Sequence, residues 1–124
     1  MRIFKTKPFA RFADHEGIPD AELCDAIRLA EKGLIDADLG GGVIKLRLAR
    51  KGQGKSGGFR SIVLFRHGDR AFFVYGFAKS DRDDIHRDEL KAFRKLASEM
   101  LAYDDRAFGS AIRNGTIMEI RSHG

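Results

Sequence analysis

The sequence has little of the residue types that build metal centres. Cys24 is the only cysteine among 124 residues, so neither an internal disulfide nor a thiolate metal cluster can form within the chain. The four histidines, His15, His67, His86 and His123, are scattered without the spacing of a zinc site. We therefore expect neither a metal nor another cofactor.

Long apolar runs are also missing. No stretch approaches the roughly 20 apolar residues that span a bilayer, and the opening, MRIFKTKPFARF, lacks the apolar centre of a signal peptide. The length favours one domain over residues 1–124, in which residues 104–124 are either part of the fold or a C-terminal extension. We expect a cytoplasmic protein that binds no membrane.

Acidic residues are nearly absent from the middle of the chain. Residues 41–80 contain nine Lys or Arg and one acid, Asp69, a net charge of +8, whereas the whole chain carries +5. The other 84 residues therefore sum to −3. A basic region confined to one part of a chain typically binds phosphates, although lysines on an exposed sheet face also serve only to prevent edge pairing.

Hydrophobic spacing predicts an α+β fold, with an N-terminal helical hairpin and a C-terminal helix packed on a twisted antiparallel sheet of three to five strands. Helices are predicted at residues 7–15, 19–33, 84–102 and 104–113. Strands are predicted at residues 1–5, 43–49, 59–65, 70–78 and 116–120. Residues 36–42, which end in three glycines, are predicted to be a loop.

Two predicted strands have distinct faces. Strict alternation in residues 43–49 places Ile44, Leu46 and Leu48 on an apolar face and Lys45 and Arg47 on a cationic one. The same alternation in the strand 70–78 places Phe73, Tyr75, Phe77 and Lys79 together. Most of these rings are expected in the core, whereas a ring at the rim, such as Tyr75, would stack on a nucleobase.

Familiar hydrolase motifs are absent. The chain offers no Ser-His-Asp or Cys-His set, and GQGKSGG lacks the spacing of a Walker phosphate loop. The remaining candidates are cations on or beside the predicted sheet: Lys45, Arg47, Arg50, Lys51, Lys55, Arg60, Arg66 and Lys79. The nearby glycines, Gly52, Gly54, Gly57 and Gly58, are interpreted as turn residues with positive φ and as places where the backbone comes close to RNA.

Several segments together match a known pattern. KSGGFR, FVYGFAKS and DELKAFRKLASEML, with RIFKTKPFARFADHEGI and GLIDADLGGGVIKLRLAR before them, cover nearly the whole chain. With these segments the sequence resembles the HigB-type branch of the RelE/ParE toxins from type II toxin-antitoxin pairs. The resemblance implies a small RelE-like domain.

The resemblance also implies an activity. Such toxins are ribosome-dependent mRNA endonucleases that enter the A site, where the ribose 2′-hydroxyl attacks the adjacent phosphate without a metal and leaves a 2′,3′-cyclic phosphate. The implied partners are the ribosome, mRNA and a cognate antitoxin, usually a helix-turn-helix protein encoded by the adjacent gene.

The resemblance assigns roles to individual cations. Arg60 in KSGGFR matches the arginine that holds the phosphate, and Lys79 matches the basic residue at the end of the last strand. Lys51 and Lys55 lie near the positions of the base or charge stabiliser. The expected RNA-binding residues are Lys45, Arg47, Arg50, Arg66 and Tyr75. No general acid is identified.

Two other functions remain open from the sequence. A ParE-like toxin shares the fold but inhibits DNA gyrase by binding to it. A non-catalytic RNA-binding or ribosome-binding module would use the same cations without cleavage, and its binding would depend steeply on salt.

Overall fold

The structure, a computed structural model, describes residues 1–50 and 54–121, and for residues 50 and 54–57 it describes the backbone alone. The helices in this part of the chain are α1 (Lys7–Glu16), α2 (Asp20–Glu31), α3 (Arg87–Met100) and α4 (Asp105–Arg113). The strands are β1 (Arg2–Thr6), β2 (Ala37–Gly40), β3 (Val43–Arg50), β4 (Gly54–Arg66), β5 (Arg70–Ala78) and β6 (Ile117–Ile120). None of the described helices is both long and apolar enough to cross a bilayer.

The strands form one sheet in the order β2-β3-β4-β5-β1-β6. Neighbours are antiparallel except β1 and β5, which run parallel, and β1 lies between β5 and β6. The α+β class predicted from the sequence is confirmed. The expected three to five antiparallel strands were an underestimate, since the described part of the sheet contains six strands and one parallel pair.

The predicted loop at residues 36–42 contains a strand. β2 pairs with β3, with Ala37 opposite Lys45 and Asp38 opposite Ile44. Gly40, Gly41 and Gly42 all have positive φ, between 64° and 84°, which lets the chain reverse tightly into β3. The prediction was wrong because pairing with the open edge of β3 creates this strand, whereas its own residues favour a turn.

The glycine-rich segment was also predicted incorrectly. β4 begins at Gly54, so Gly54, Gly57 and Gly58 lie within a strand and not in a turn. Gly54 pairs with Arg50 of β3, and β3 and β4 therefore continue beyond the predicted strand ends. Lys51 and Gly52, which were expected in the turn, lie outside the described residues.

The sheet is covered on both faces. One core cluster joins α1 and α2 to Leu46, Leu48 and Phe73, and a second joins α3 and α4 to Val43 and Phe72. The expectation that β3 has one apolar and one cationic face therefore holds only from Lys45 onward, since Val43 is fully buried beneath the second pair of helices. Three of the predicted cations, Lys45, Arg47 and Arg60, lie toward one end of this second face.

The helix ends follow the signals in the sequence. Pro8 occupies the first turn of α1, and Gly17 ends the helix in the left-handed conformation with φ 69°. Asp104 caps α4 by accepting a hydrogen bond from the backbone N–H of Ala107 at 2.8 Å. The four predicted helices are confirmed, although α3 begins three residues later than the apolar spacing indicated.

Candidate functional site

The cationic end of the second sheet face is formed by three adjacent strands. Arg47 of β3 lies directly opposite Arg60 of β4, which in turn lies opposite Phe77 of β5. Directly paired residues project from the same face of a sheet, so these three side chains form a row across it. Lys45 and Tyr75 lie in the next row, on either side of the buried Ile62. We call Arg47, Arg60, Phe77, Lys45 and Tyr75 together the cationic face.

A β-bulge decides which aromatic rings reach this face. The register between β4 and β5 shifts between Ile62, which pairs with Tyr75, and Val63, which pairs with Phe73, so Val74 is an extra residue. Phe73 consequently packs with the α1 and α2 cluster, while Tyr75 packs with α3. The prediction that Phe73 shares a face with Tyr75 was wrong, because strict alternation cannot anticipate an inserted residue.

Asp36 is the centre of the cation cluster. One carboxylate oxygen, Oδ1, accepts a hydrogen bond from Arg47 Nε at 2.9 Å, and the other, Oδ2, lies 3.5 Å from Arg60 Nε and 3.6 Å from Lys45 Nζ. The Asp36 side chain is 13% exposed, Arg60 is 6% exposed and Arg47 is 50% exposed. The cluster therefore has a buried floor at Arg60 and an accessible rim at Arg47.

The electrostatics of Asp36 follow from these contacts. Burial raises the pKa of the Asp36 carboxyl group, but the hydrogen bond from Arg47 and the charges of Lys45, Arg47 and Arg60 outweigh burial and lower the pKa below its ordinary value. The group is thus a carboxylate at neutral pH. It offsets part of the positive charge of the three cations.

Lys45 connects this cluster to the segment that follows β5. Its Nζ lies 3.2 Å from Asp84 Oδ2 as well as 3.6 Å from Asp36, and its side chain is only 12% exposed. Burial raises the pKa of Asp84, but the hydrogen bonds from the Ile85 N–H and Lys45, with the charges of Lys45 and Lys79, outweigh burial and lower the pKa below its ordinary value. Lys45, which the sequence suggested as an RNA contact, therefore bridges two acids.

Lys79 lies at the edge of the cationic face. It directly follows β5 and is exposed, and its Nζ donates to the backbone carbonyl of Asp83 at 3.2 Å. Its charge also acts on Asp84. The structure thus brings Lys79 into the same group of charges as Lys45 and Asp84.

Arg82 is a residue of this region that the sequence analysis missed. Its Nη1 donates to the Tyr75 hydroxyl at 2.9 Å, and its Nη2 donates to Glu89 Oε1 at 2.6 Å. The guanidinium carbon also lies 5.8 Å from the centre of the Tyr75 ring and 5.6 Å from that of Phe77. No signal in the sequence points to it, because Arg82 precedes α3 and meets Glu89 only in the folded chain.

The Arg82 to Glu89 pair is tightly coupled. The hydrogen bond from Arg82, supported by the backbone N–H of His86, lowers the pKa of Glu89 to about 2. The same hydrogen bond, followed by the one to Tyr75, raises the pKa of Arg82. Since Arg82 already donates to the Tyr75 oxygen, the phenolic proton of Tyr75 is left to donate elsewhere.

Other candidates do not join this group. Arg66 lies at the opposite end of β4, where it pairs with Asp69 and donates to the Leu101 carbonyl at 2.8 Å. Six residues of strand separate it from Arg60, which is about 20 Å. The side chains of Arg50 and Lys55 lie outside the described residues, as does the whole of Lys51.

The acids of the site come from outside the basic segment. Within residues 41–80 the sequence has one acid, but Asp36, Asp84 and Glu89 reach the cations from before and after it. The segment's high charge is therefore partly neutralised. The resulting face combines one exposed guanidinium, one buried guanidinium and a phenol, which suits the binding of a phosphodiester next to a proton donor.

Comparison with known protein families gives one match. A family model described as the RelE toxin of the RelE/RelB toxin-antitoxin system matches residues 1–120. No curated protein matches the chain. The matched range includes every helix and strand described above, together with the cationic face.

Proposed function

The chain belongs to the RelE toxin family of toxin-antitoxin systems, and on this premise we propose that it is a ribosome-dependent mRNA endonuclease. Its substrate would be mRNA in the ribosomal A site, and the reaction would be attack of a ribose 2′-hydroxyl on the adjacent phosphate. The motifs in the sequence further favour the HigB-type branch and a single toxin domain over residues 1–124. Toxins of this family pair with an antitoxin.

One observation carries the proposal. Arg47 and Arg60 lie opposite each other near one end of the sheet, beside Phe77 and next to the row that contains Lys45 and Tyr75. Two adjacent guanidinium groups offer several N–H donors to the oxygens of one phosphate. This is the arrangement that the reaction needs, because negative charge builds up on the phosphate as the 2′-oxygen attacks.

We assign the phosphate to the arginine pair. Arg47 is half exposed and would make the first contact, while Arg60 forms the floor beneath it. Two charges attract each other more strongly in a buried environment than in water. Arg60 would therefore stabilise the negative charge on the phosphate most strongly in the transition state. Lys79, at the edge of the face, would contact the neighbouring phosphate.

Proton transfer needs two further groups. We propose Tyr75 as the donor to the departing 5′-oxygen, since its oxygen already accepts from Arg82 and its proton is available. A proton acceptor for the 2′-hydroxyl is still required. From the family resemblance, Lys51 and Lys55 remain the candidates for this proton acceptor. Both side chains lie outside the described residues.

The direct test is cleavage on a programmed ribosome. Purified protein would be mixed with 70S ribosomes carrying a defined mRNA and an empty A site, and the mRNA ends would be mapped and tested for a 2′,3′-cyclic phosphate. We expect cleavage by the wild type and at least a 100-fold slower reaction with Arg60→Ala, the loss typical of removing one charge-stabilising donor. Arg66→Ala, at the far end of β4, is the matched control.

Two outcomes would overturn the proposal. Intact mRNA at stoichiometric wild-type protein, despite salt-sensitive ribosome binding, would indicate a non-catalytic RNA-binding module. Inhibition of gyrase supercoiling by both the wild type and Arg60→Ala would indicate a toxin that acts by binding to gyrase.

A further inference from the structure

Asp36 has an unusual position for an acid in a phosphate-binding surface. Its carboxylate contacts three cations from two strands, at 2.9 Å for Arg47, 3.5 Å for Arg60 and 3.6 Å for Lys45. Arg47 and Arg60 are direct neighbours across β3 and β4 and carry the same charge. Without an acid between them these side chains would repel each other and turn apart.

The backbone fixes where this carboxylate lies. The Asp36 N–H donates to the Lys45 carbonyl at 2.9 Å, and β2 begins at the next residue. The three glycines of the β2–β3 turn hold that pairing in place. Asp36 lies in the bend directly before β2, and this hydrogen bond ties its backbone to β3.

We propose that Asp36 is a positioning residue of the cleavage site, whose carboxylate holds the guanidinium groups of Arg47 and Arg60 side by side for one phosphate. This inference rests on the proposed endonuclease function. It assigns Asp36 a role in the rate of the chemical step and none in binding the ribosome. Two rival roles are a simple balance of charge, and competition with the RNA phosphate for the same arginines.

The three roles predict different kinetics. If Asp36 only balances charge, Asp36→Asn removes one negative charge, and the ribosome should be bound as tightly as before or more tightly. If Asp36 positions the arginines, the same variant cleaves more slowly, because a misplacement of about 1 Å can cost about 100-fold in rate. If Asp36 competes with RNA, the variant binds more tightly and cleaves at least as fast.

The experiment is single-turnover cleavage on programmed ribosomes at increasing protein concentration. For Asp36→Asn we expect a maximal rate about 10- to 100-fold lower, with a half-saturating concentration no higher than that of the wild type. Asp25→Asn is the matched control, because Asp25 pairs with Arg28 on the surface of α2 at 2.6 Å and the net charge changes equally. An unchanged or faster maximal rate for Asp36→Asn would overturn the inference.

A second pair of variants separates position from folding. Asp36→Glu keeps the charge but adds a methylene group, and we expect a loss of about 3- to 10-fold in the maximal rate with unchanged binding. In a double-mutant cycle, Asp36→Asn should have less than a third of its effect in an Arg47→Ala background, because one of the side chains it orients is gone. Equal effects in both backgrounds would show that Asp36 acts independently of Arg47.

The wild-type reaction distinguishes the two proposals. If wild-type protein leaves the mRNA intact, the endonuclease proposal fails and the inference about Asp36 fails with it. If the wild type cleaves and the Asp36 variants match it, only the inference about Asp36 fails. Thermal unfolding of each variant, followed by circular dichroism, confirms that the compared proteins are folded at the assay temperature.

Discussion

Arg47 and Arg60 lie directly opposite each other on β3 and β4, yet the Arg47 side chain is 50% exposed and that of Arg60 only 6%. Asp36 contacts both guanidinium groups. The two arginines thus differ in environment although they share a row of the sheet. An incoming phosphate would contact the exposed guanidinium of Arg47 first. It would reach the buried guanidinium of Arg60 only after that.

This difference in exposure predicts that lysine at position 60 lowers the cleavage rate more than lysine at position 47. Arg60→Lys keeps the charge but loses the planar fork, so we expect the maximal cleavage rate to fall at least 10-fold with little change in ribosome affinity. Arg47→Lys changes an exposed contact and should lower the rate less than Arg60→Lys does. The measurement is single-turnover cleavage on programmed ribosomes.

Arg66→Lys makes the same replacement at the far end of β4, where Arg66 pairs with Asp69. It should leave both the rate and the affinity unchanged. Equal losses for Arg47→Lys and Arg60→Lys would contradict the assignment of a buried floor and an exposed rim.

Tyr75 is predicted to contribute through its hydroxyl group and not through its ring. Tyr75→Phe keeps the packing against Phe93, whose ring centre lies 5.9 Å away, but removes the oxygen that accepts from Arg82. We expect a cleavage rate about 100-fold lower, the lower end of the range for general acid catalysis.

Tyr103→Phe is the control for this prediction. Tyr103 is partly buried and packs edge-on against Phe72 and Phe108, and its carbonyl accepts from Arg70, at the opposite end of β5 from Phe77. Its loss of a hydroxyl should leave cleavage within about 2-fold of the wild type. If Tyr75→Phe cleaves equally well, the proton donor is another group and Tyr75 only packs or stacks.

The sequence was sufficient for the elements that depend on local signals. The helices have proline, acidic residues or glycine at their ends, and β3 has strict alternation, so their approximate positions were predictable. β2 and the bulge at Val74 were not, because both arise from pairing with a neighbouring strand. Long-range pairing leaves no local pattern that alternation or propensity can detect.

The cations of the candidate site could be listed from the sequence, but their arrangement could not be predicted. Arg60, Arg47 and Lys79 were identified from charge and resemblance, and these residues do lie in one region. The acids that organise them, Asp36 and Asp84, are outside the basic segment, and only the folded sheet brings them close. Counting charge within a segment cannot reveal partners supplied by its flanks.

Gly76 is predicted to be essential for the packing of β5 against α1. A Cβ atom at this position would overlap the ring of Phe12, which also packs edge-on against Phe59 next to Arg60. Gly76→Ala should therefore lower the free energy of unfolding by about 1 to 3 kcal/mol, as overpacking does. Urea denaturation followed by circular dichroism measures this change.

Gly109→Ala provides a contrast within the same protein. Its Cβ would meet only the end of the Arg113 side chain, at 3.0 Å from Nη1, and that flexible group can move. Because alanine favours a helix over glycine by about 1 kcal/mol, this variant should be as stable as the wild type or more stable. Similar losses at both glycines would refute the role assigned to the Phe12 contact.

Glu89 links the stability of α3 to pH. Its carboxylate accepts from Arg82 and from the backbone N–H of His86, at 2.6 and 2.7 Å. These hydrogen bonds lower the pKa of Glu89 from its ordinary 4.5 to about 2. A carboxyl group whose pKa is depressed by folding stabilises the folded state above its unfolded pKa and loses that effect as the pH falls through the folded value.

Glu89→Gln should therefore be less stable than the wild type at pH 7, by roughly 1 kcal/mol for a partly exposed ion pair that also accepts from the helix start. Acidification should reduce the difference from about pH 4.5 downward, and most of it should be gone once the pH falls through about 2, the pKa at which folded Glu89 becomes protonated. Glu99→Gln, at an exposed position on the same helix, should differ little from the wild type at any pH. A stability difference between wild type and Glu89→Gln that stays constant from pH 7 to pH 2 would mean that the ionised carboxylate does not hold Arg82 and the start of α3 together.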